Sequence, residues 1–127
     1  MIYKLLIVDD SKLARMAVIR ALNNSYPDWP RVEAGSAADA MRAAEQDAPD
    51  IALIDFNMPG GDGLNLVEGL RRNHPNMPIA LISANHQQQI IDRTKQLGAT
   101  FLPKPLGDED LGRFLTGALH ALQNAQT

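Results

Sequence analysis

Three aspartates stand at the ends of apolar runs and carry the chemistry of a cation and phosphoryl site. Asp9 and Asp10 follow the apolar residues 5–8, and Asp55 ends a second apolar run that begins at residue 51. Carboxylates held close together repel one another, and a hard divalent cation such as Mg²⁺, which prefers oxygen ligands, relieves that repulsion. An aspartate can also attack phosphorus itself and form an acyl phosphate.

Two more polar residues follow later apolar runs. Ser83 closes the fourth run, and Lys104 comes shortly after the fifth. A cation, a lysine and a hydroxyl around one aspartate can neutralise the oxygens of a transferring phosphoryl group. The residue types therefore indicate phosphoryl-transfer chemistry centred on Asp55, with the backbone carbonyl of Asn57 as a further metal ligand.

Strand-like and helix-like segments alternate along the chain. Continuous apolar runs are typical of parallel strands buried on both faces, and they alternate with segments whose apolar residues recur at helical spacing. Strands are predicted at about 5–8, 31–34, 51–55, 78–82 and 100–102, and helices at about 12–23, 37–47, 63–73, 87–97 and 108–123. The alternation predicts an α/β, doubly wound parallel sheet with helices on both faces. The carboxyl ends of parallel strands lie at one edge of the sheet, so the polar residues should converge there. This edge is also where ligands bind in such sheets.

The composition describes an ordinary globular domain and excludes several function classes. The chain has 127 residues, a formal net charge of -3 and no cysteine. That charge argues against direct nucleic-acid contact by this segment, and disulfides and thiolate metal sites are excluded. Neither an apolar run of about 20 residues for a membrane helix nor a signal peptide is visible. We expect a cytoplasmic protein without membrane contact, with one domain over 1–123 and a polar tail at 124–127.

Four motifs together resemble the receiver domain of two-component response regulators. They are Val8-Asp9-Asp10-Ser11, the stretch 55–63 (Asp-Phe-Asn-Met-Pro-Gly-Gly-Asp-Gly), Ser83-Ala84, and Phe101-Leu102-Pro103-Lys104-Pro105. They occur in the order and at the spacing of that family, so the resemblance covers about the whole chain. It implies a flavodoxin-like (βα)5 fold, with a five-stranded parallel sheet in the order 2-1-3-4-5.

The resemblance also implies a phosphoacceptor and a metal site. Asp55 would accept a phosphoryl group from a phosphohistidine on a sensor histidine kinase or a histidine phosphotransfer protein. Asp10, Asp55 and the carbonyl of Asn57 would hold Mg²⁺, or Mn²⁺ in its place, and Asp9 would contribute through water.

The remaining residues of the motifs are implied to form a switch. Lys104 would pair with the acceptor carboxylate and then with the phosphoryl group, and Ser83 would move to hydrogen-bond a phosphoryl oxygen. Phe101 would rotate inward as Ser83 shifts, and the Lys104–Pro105 peptide bond would be cis. The change would be read by an output protein on the face made by the fourth helix, the fifth strand and the fifth helix.

The first helix carries two apolar stripes. Its buried face is predicted to consist of Ala14, Ala17, Val18 and Ala21. A second stripe holds Leu13, Met16 and Ile19. One hypothesis is that the second stripe docks the phosphodonor beside Asp55, and the alternative is partial burial or scattered surface apolar residues.

Three functional settings are open at this point. The domain is a free-standing signalling receiver, or the amino-terminal receiver of a longer DNA-binding or enzymatic regulator. The third setting is a Mg²⁺-dependent phosphohydrolase that uses Asp55 as its nucleophile. Such enzymes commonly need an acid–base aspartate just beyond the nucleophile, and Asn57 occupies that place, which argues against turnover.

Overall fold

Five parallel strands form the central sheet of the molecule. The computed structural model describes residues 2–58 and 61–125. The strands are β1 (Leu5–Val8), β2 (Arg31–Ala34), β3 (Ile51–Asp55), β4 (Ile79–Ser83) and β5 (Thr100–Pro103), paired in the order β2-β1-β3-β4-β5. The helices are α1 (Lys12–Asn23), α2 (Ala37–Asp47), α3 (Gly63–Asn73), α4 (Gln88–Gln96) and α5 (Asp108–Ala125). The predicted fold class and strand order are confirmed.

The two faces of the sheet carry separate apolar clusters. Alternate residues of a strand point to opposite faces, so Leu6 and Val8 enter one cluster while Leu5 and Ile7 enter the other. Helices α2, α3 and α4 supply the first cluster, and α1 and α5 supply the second. Strands β1, β3 and β4 are consequently buried along their whole length. In the part of the chain that the structure describes, no helix is both long enough and apolar enough to cross a bilayer.

Serine side chains begin the helices that follow β1 and β2. The Oγ of Ser11 accepts the N–H of Ala14 at 3.2 Å, and the Oγ of Ser36 accepts the N–H of Asp39 at 3.1 Å. Each such N-cap contributes about 1 kcal/mol to helix stability. Ser11 thereby fixes where the chain turns into α1, directly after Asp10.

The stretch after β3 differs from the predicted loop. Asn57–Met58 pairs antiparallel with Gly61–Asp62 and forms a short hairpin. Pro59 and Gly60 of the same motif lie outside the described residues. Met58 is buried in the first apolar cluster, which holds the hairpin against the domain.

Several element ends lie one or two residues from the predicted positions. β4 takes in Ser83 and β5 takes in Pro103, because these two residues pair with each other. α4 is one residue shorter at each end than predicted. α5 continues to Ala125, into the segment predicted as a tail, and residues 126–127 lie outside the described residues.

The buried face of α1 is the predicted one only in part. Leu22 is buried and Ile19 is half-buried against the second apolar cluster, whereas Ala17 is exposed. The other three predicted residues are half-buried. Leu22 and Ile19 remove more apolar area from water than an alanine does, so the helix turns them toward the sheet. Of the predicted docking stripe, Leu13 and Met16 remain exposed, at 78% and 43%.

Candidate functional site

Strand register brings the ends of β1 and β3 side by side. Val8 pairs with Ile54, so Asp9 and Asp55 follow as neighbours at the carboxyl edge of the sheet. Carboxylate oxygens of Asp9, Asp10 and Asp55 all lie within 4.8 Å of one another. The structure therefore brings together the three aspartates that the sequence singled out.

The three carboxylates differ in their exposure. Asp55 is only 4% exposed, Asp9 is half-buried and Asp10 is exposed. A buried carboxylate loses solvation that neighbouring charges must replace. Asp55 is consequently the member of the cluster that depends most on its neighbours.

Asp9 is fixed by both its main chain and its side chain. Its N–H donates to the carbonyl oxygen of Ala34 in β2 at 3.1 Å. Its Oδ1 accepts the N–H of Ser11 at 2.9 Å. The turn from β1 into α1 is thus held at the start of the acidic cluster.

The surroundings of Asp9 disfavour its charged form. Burial raises the pKa of the Asp9 carboxyl above its usual value, and the N–H of Ser11 opposes that rise. The charges of Asp55 and Asp10 raise the same pKa further, while Lys104 lowers it. The fully ionised cluster is therefore under electrostatic repulsion that a cation would relieve.

Lys104 supplies a positive charge at the same edge. Its Nζ lies 2.6 Å from Oδ1 of Asp55. Among the described residues no donor meets this Oδ1 with hydrogen-bond alignment, so the contact is an ion pair and not an aligned hydrogen bond. The N–H of Lys104 donates to the carbonyl oxygen of Ser83 at 3.0 Å, which extends the β4–β5 pairing to the site. The Lys104–Pro105 peptide bond is cis.

Ser83 is buried at the end of β4 and is bonded within its own turn. Its hydroxyl donates to the carbonyl oxygen of Asn85 at 3.2 Å and accepts the N–H of Asn85 at 2.9 Å. These two hydrogen bonds close a tight turn directly after β4.

Phe101 contacts the same turn from β5. Its half-buried ring packs against the first apolar cluster. The ring of His86 lies edge-to-face with it, at a centroid distance of 5.7 Å and an interplanar angle of 89°. The turn after Ser83 and the side chain of Phe101 are thus in physical contact.

Gly63 allows α3 to begin close behind β3. Its N–H donates to the carbonyl oxygen of Phe56 at 2.7 Å. A Cβ at this position would lie 2.5 Å from the carbonyl oxygen of Asp55 and 2.9 Å from the Cα of Phe56. These are backbone atoms that cannot move aside, so the close approach requires glycine.

Two contacts at the site were missed by the sequence analysis. One is the ring of His86 on Phe101, and the other is the guanidinium of Arg15, which donates to the carbonyl oxygen of Asp9 and to Glu33. Arg15 lies one turn into the helix that follows the acidic pair, and this spacing in the sequence could have indicated its contact with Asp9.

The acidic cluster offers the kind of ligand atoms that a hard divalent cation prefers. All of its side-chain donors are carboxylate oxygens, which Mg²⁺ prefers. Three carboxylates meet here, one of them on the buried Asp55, and a cation would neutralise their clustered negative charge. Asp10 and Asp55, with Asp9 beside them, therefore fit Mg²⁺. Asn57, whose carbonyl is the further predicted ligand, opens the hairpin two residues beyond Asp55.

Known proteins match most of the chain. The family model of the response regulator receiver domain matches residues 5–116. A protein-glutamate methylesterase/protein-glutamine glutaminase of Thiobacillus denitrificans is 42% identical over 108 residues, which cover 80% of this chain and 29% of that protein. The glycerol metabolism activator of Pseudomonas putida is 33% identical over 98 residues, covering 76% of this chain and 44% of the activator. The solved structure of chemotaxis protein CheY4 of Vibrio cholerae has a TM-score of 0.82 and 26% identity, covering 93% of this chain and 99% of that one.

The match is to one part of each of these curated relatives, since the chain spans less than half of their lengths. The residues that the family model matches nevertheless include all five strands of the sheet and the carboxyl edge at which Asp9, Asp55 and Lys104 meet. The sheet order and the grouping of acidic and basic side chains agree with it. This chain belongs to the response regulator receiver domain family.

Proposed function

We propose that this domain is a phosphorelay receiver in which Asp55 accepts a phosphoryl group from a phosphohistidine donor. The observation that carries the proposal is a buried Asp55 carboxylate with the Lys104 ammonium at 2.6 Å and two further carboxylates within 4.8 Å. Such a group is a nucleophile beside a fixed cation, which can stabilise the negative charge of the phosphoryl oxygens during transfer. The donor would be a sensor histidine kinase or a histidine phosphotransfer protein.

In the proposed transfer, a carboxylate oxygen of Asp55 forms a P–O bond while the P–N bond of the donor breaks. The donor imidazole nitrogen keeps the bonding electron pair and takes up a proton from solvent. Lys104 remains beside the acyl phosphate and pairs with a phosphoryl oxygen. Asp10, Asp55 and the carbonyl of Asn57 would hold the Mg²⁺ or Mn²⁺, and Asp9 would contribute through water. The bound cation supplies positive charge to the phosphoryl oxygens.

Ser83 is proposed to couple phosphorylation to a change of conformation. A hydroxyl has one proton to donate, and the proton of Ser83 now goes to the carbonyl oxygen of Asn85. Donation to a phosphoryl oxygen would replace this bond with a stronger, charge-assisted one. Phosphorylation of Asp55 would therefore favour the form in which Ser83 has turned toward it.

The change is proposed to be read on the face of α4, β5 and α5. Phe101 of β5 touches His86 in the turn after Ser83, so movement of the turn alters the support of its ring. Gln87 is the N-cap residue of α4, and its side chain makes no hydrogen bond to the first turn of the helix. A helix end without a side-chain cap is less stable by about 1 kcal/mol, so rearrangement of that turn requires less free energy.

The output partner is proposed to be a separate protein or a further domain of a longer regulator. The lengths of the two curated relatives favour the second setting, because the chain spans only 44% and 29% of them. The cytoplasmic location and the absence of direct nucleic-acid contact by this segment remain predictions from the sequence.

The test of the proposal is intact-mass spectrometry after incubation with acetyl phosphate and Mg²⁺. The wild type should gain the mass of one phosphoryl group, and peptide mapping should assign it to Asp55. Asp55→Asn, or a chelator, should abolish the gain. Asp50→Asn, which lies just before the opposite end of β3 and accepts the N–H of Lys4, is the matched control and should label normally. Phosphorylation of Asp55→Asn to the wild-type level would overturn the proposal.

We also propose that Leu13 and Met16 contact the donor. They are exposed on α1, which begins two residues after Asp10. Burying each side chain at an interface would contribute about 1–2 kcal/mol. Leu13→Ser and Met16→Gln should therefore slow transfer from a phosphorylated histidine phosphotransfer protein about tenfold and leave acetyl phosphate labelling unchanged. Ile2→Ser, an equally apolar exposed site before β1, should alter neither rate, and equal donor rates in all variants would contradict the hypothesis.

A further inference from the structure

We propose that Arg15 is a positioning residue that sets the geometry of the Asp9–Asp10 turn for cation binding. This inference rests on the proposed function, because it concerns the affinity of the same metal site. It assigns part of that affinity to a side chain outside the acidic motif.

The guanidinium of Arg15 bridges two elements of the fold. Its Nε donates to Oε1 of Glu33 in β2 at 3.0 Å, and its Nη1 donates to the carbonyl oxygen of Asp9. The Arg15 side chain is only 16% exposed, and that of Glu33 is 43% exposed. Glu33 thus anchors the arginine from β2 while the arginine reaches the end of β1.

The bond to Asp9 fixes the peptide plane that leads into Asp10. The N–H of Asp9 is already held by the carbonyl oxygen of Ala34, and Arg15 holds the carbonyl on the other side of the same residue. A peptide unit is planar, so fixing its carbonyl also fixes where the N–H and Cα of Asp10 lie. Arg15 therefore constrains the exposed metal ligand through its backbone.

The charge of Arg15 and its positioning role predict opposite effects on metal affinity. A positive charge near the cluster repels a cation, so loss of that charge alone should tighten Mg²⁺ binding. Loss of positioning should weaken it, because the carboxylates must then be ordered when the cation binds. Arg15→Lys separates the two effects, since lysine keeps the charge but has no planar fork with which to reach both acceptors.

The experiment measures the Mg²⁺ Kd of the dephosphorylated domain by calorimetry and repeats it with Mn²⁺ by electron paramagnetic resonance. The variants are Arg15→Gln, Arg15→Lys and Glu33→Gln. Arg42→Gln is the matched control, because it removes an exposed ion pair with Asp39 on α2. The Mg²⁺ concentration for half-maximal labelling by acetyl phosphate, the maximal labelling rate and the melting temperature in chelator are measured on the same samples.

Arg15→Gln should raise the Mg²⁺ Kd about tenfold, the lower end of the effect of contacts that orient metal ligands. Arg15→Lys should also raise it, Glu33→Gln should raise it less, and Arg42→Gln should leave it unchanged. The half-maximal Mg²⁺ concentration for labelling should follow the Kd, while the maximal rate at saturating Mg²⁺ should not change. A loss of fold stability alone would lower the melting temperature without this pattern.

An unchanged or lower Kd in Arg15→Gln, or a wild-type Kd in Arg15→Lys, would overturn the inference. If Arg15→Gln does not fold, Glu33→Gln carries the test, and an unchanged Kd in that variant overturns the inference. A wild-type domain that binds neither Mg²⁺ nor Mn²⁺ would instead overturn the proposed function itself. The two failures are therefore distinguishable.

Discussion

Asp9→Asn tests whether the acidic cluster is under repulsion in the absence of a cation. The substitution removes one negative charge and keeps an oxygen that can accept the N–H of Ser11, as Oδ1 does now. Burial raises the pKa of Asp9, and the charges of Asp55 and Asp10 add to the rise. The folded state therefore disfavours the ionised form, and Asp9→Asn should stabilise the domain at neutral pH without Mg²⁺.

The size of the effect follows from the separation of the charges. At the outer limit of 4.8 Å between their oxygens, two unit charges repel by about 0.9 kcal/mol in water and about 3.5 kcal/mol at an effective dielectric constant near 20. Asp9 faces Asp10 and Asp55, while Lys104 opposes them. Because Asp9 is only half-buried, solvent screening keeps the repulsion near the water value, and the net gain should be about 1 kcal/mol.

Trp29 provides the assay, because it is the single tryptophan of the chain. It is 5% exposed and stacks on Tyr26 at 4.0 Å, with Tyr3 edge-on at 5.6 Å. Its fluorescence should therefore report unfolding in urea, from which the free energy of unfolding is obtained. Glu45→Gln, which removes an exposed carboxylate on α2, is the control for a change of net charge.

The dependence on pH has a defined sign. Because the folded-state pKa of Asp9 is raised, the gain of the asparagine variant should be complete above that pKa. It should vanish below the unfolded value of about 3.9, where the carboxyl is protonated in both states.

Mg²⁺ should reverse the order of stability. A ligand at 100 times its Kd adds about 2.7 kcal/mol to the protein that binds it, and the wild type should gain more than the variant, which has one carboxylate fewer. If Asp9→Asn were less stable than the wild type in chelator at pH 7, the reasoning about repulsion would be refuted.

Two further substitutions test the surroundings of Asp55. Lys104→Met removes its ion-pair partner and should destabilise the domain by about 1–2 kcal/mol, less than for a fully buried pair because the lysine is partly exposed. Urea unfolding in chelator measures this loss, and unchanged stability would contradict the pairing. Gly63→Ala should cost about 2–3 kcal/mol, since its Cβ would lie 2.5 Å from the carbonyl oxygen of Asp55. Gly112→Ala, whose Cβ meets nothing within 4 Å, should instead stabilise α5 by about 0.5–1 kcal/mol, and equal effects of the two alanines would contradict the packing argument.

The location of the candidate site could be predicted because it depends on strand ends. Asp9 follows β1, Asp55 ends β3 and Ser83 ends β4, each after a continuous apolar run. In a parallel sheet those ends lie at one edge whatever the packing of the helices. The runs themselves are short and bounded by polar residues, so their limits lie within one residue of the observed strands.

The packing of α1 could not be predicted in the same way. Its sequence offers two apolar stripes, and both have helical spacing. Which residues are buried depends on the shape of the surface that α5 and the sheet present. This surface accepts residues from both stripes together with Leu22, while it leaves Ala17 exposed. Periodicity gives the helix and its amphipathic character, but side-chain volume against a particular neighbour decides its rotation.

The contacts of Arg15 show why the motif alone does not determine the site. Arg15 and Glu33 are 18 residues apart, and their ion pair exists because the β1–β2 pairing places residue 33 beside residue 7. The acidic pair Asp9-Asp10 is therefore held by a residue of α1 that is itself held by a residue of β2. Two receivers with the same acidic pair can accordingly differ in cation affinity when the residues at these two supporting positions differ, because the ligands must be ordered before the cation can use them.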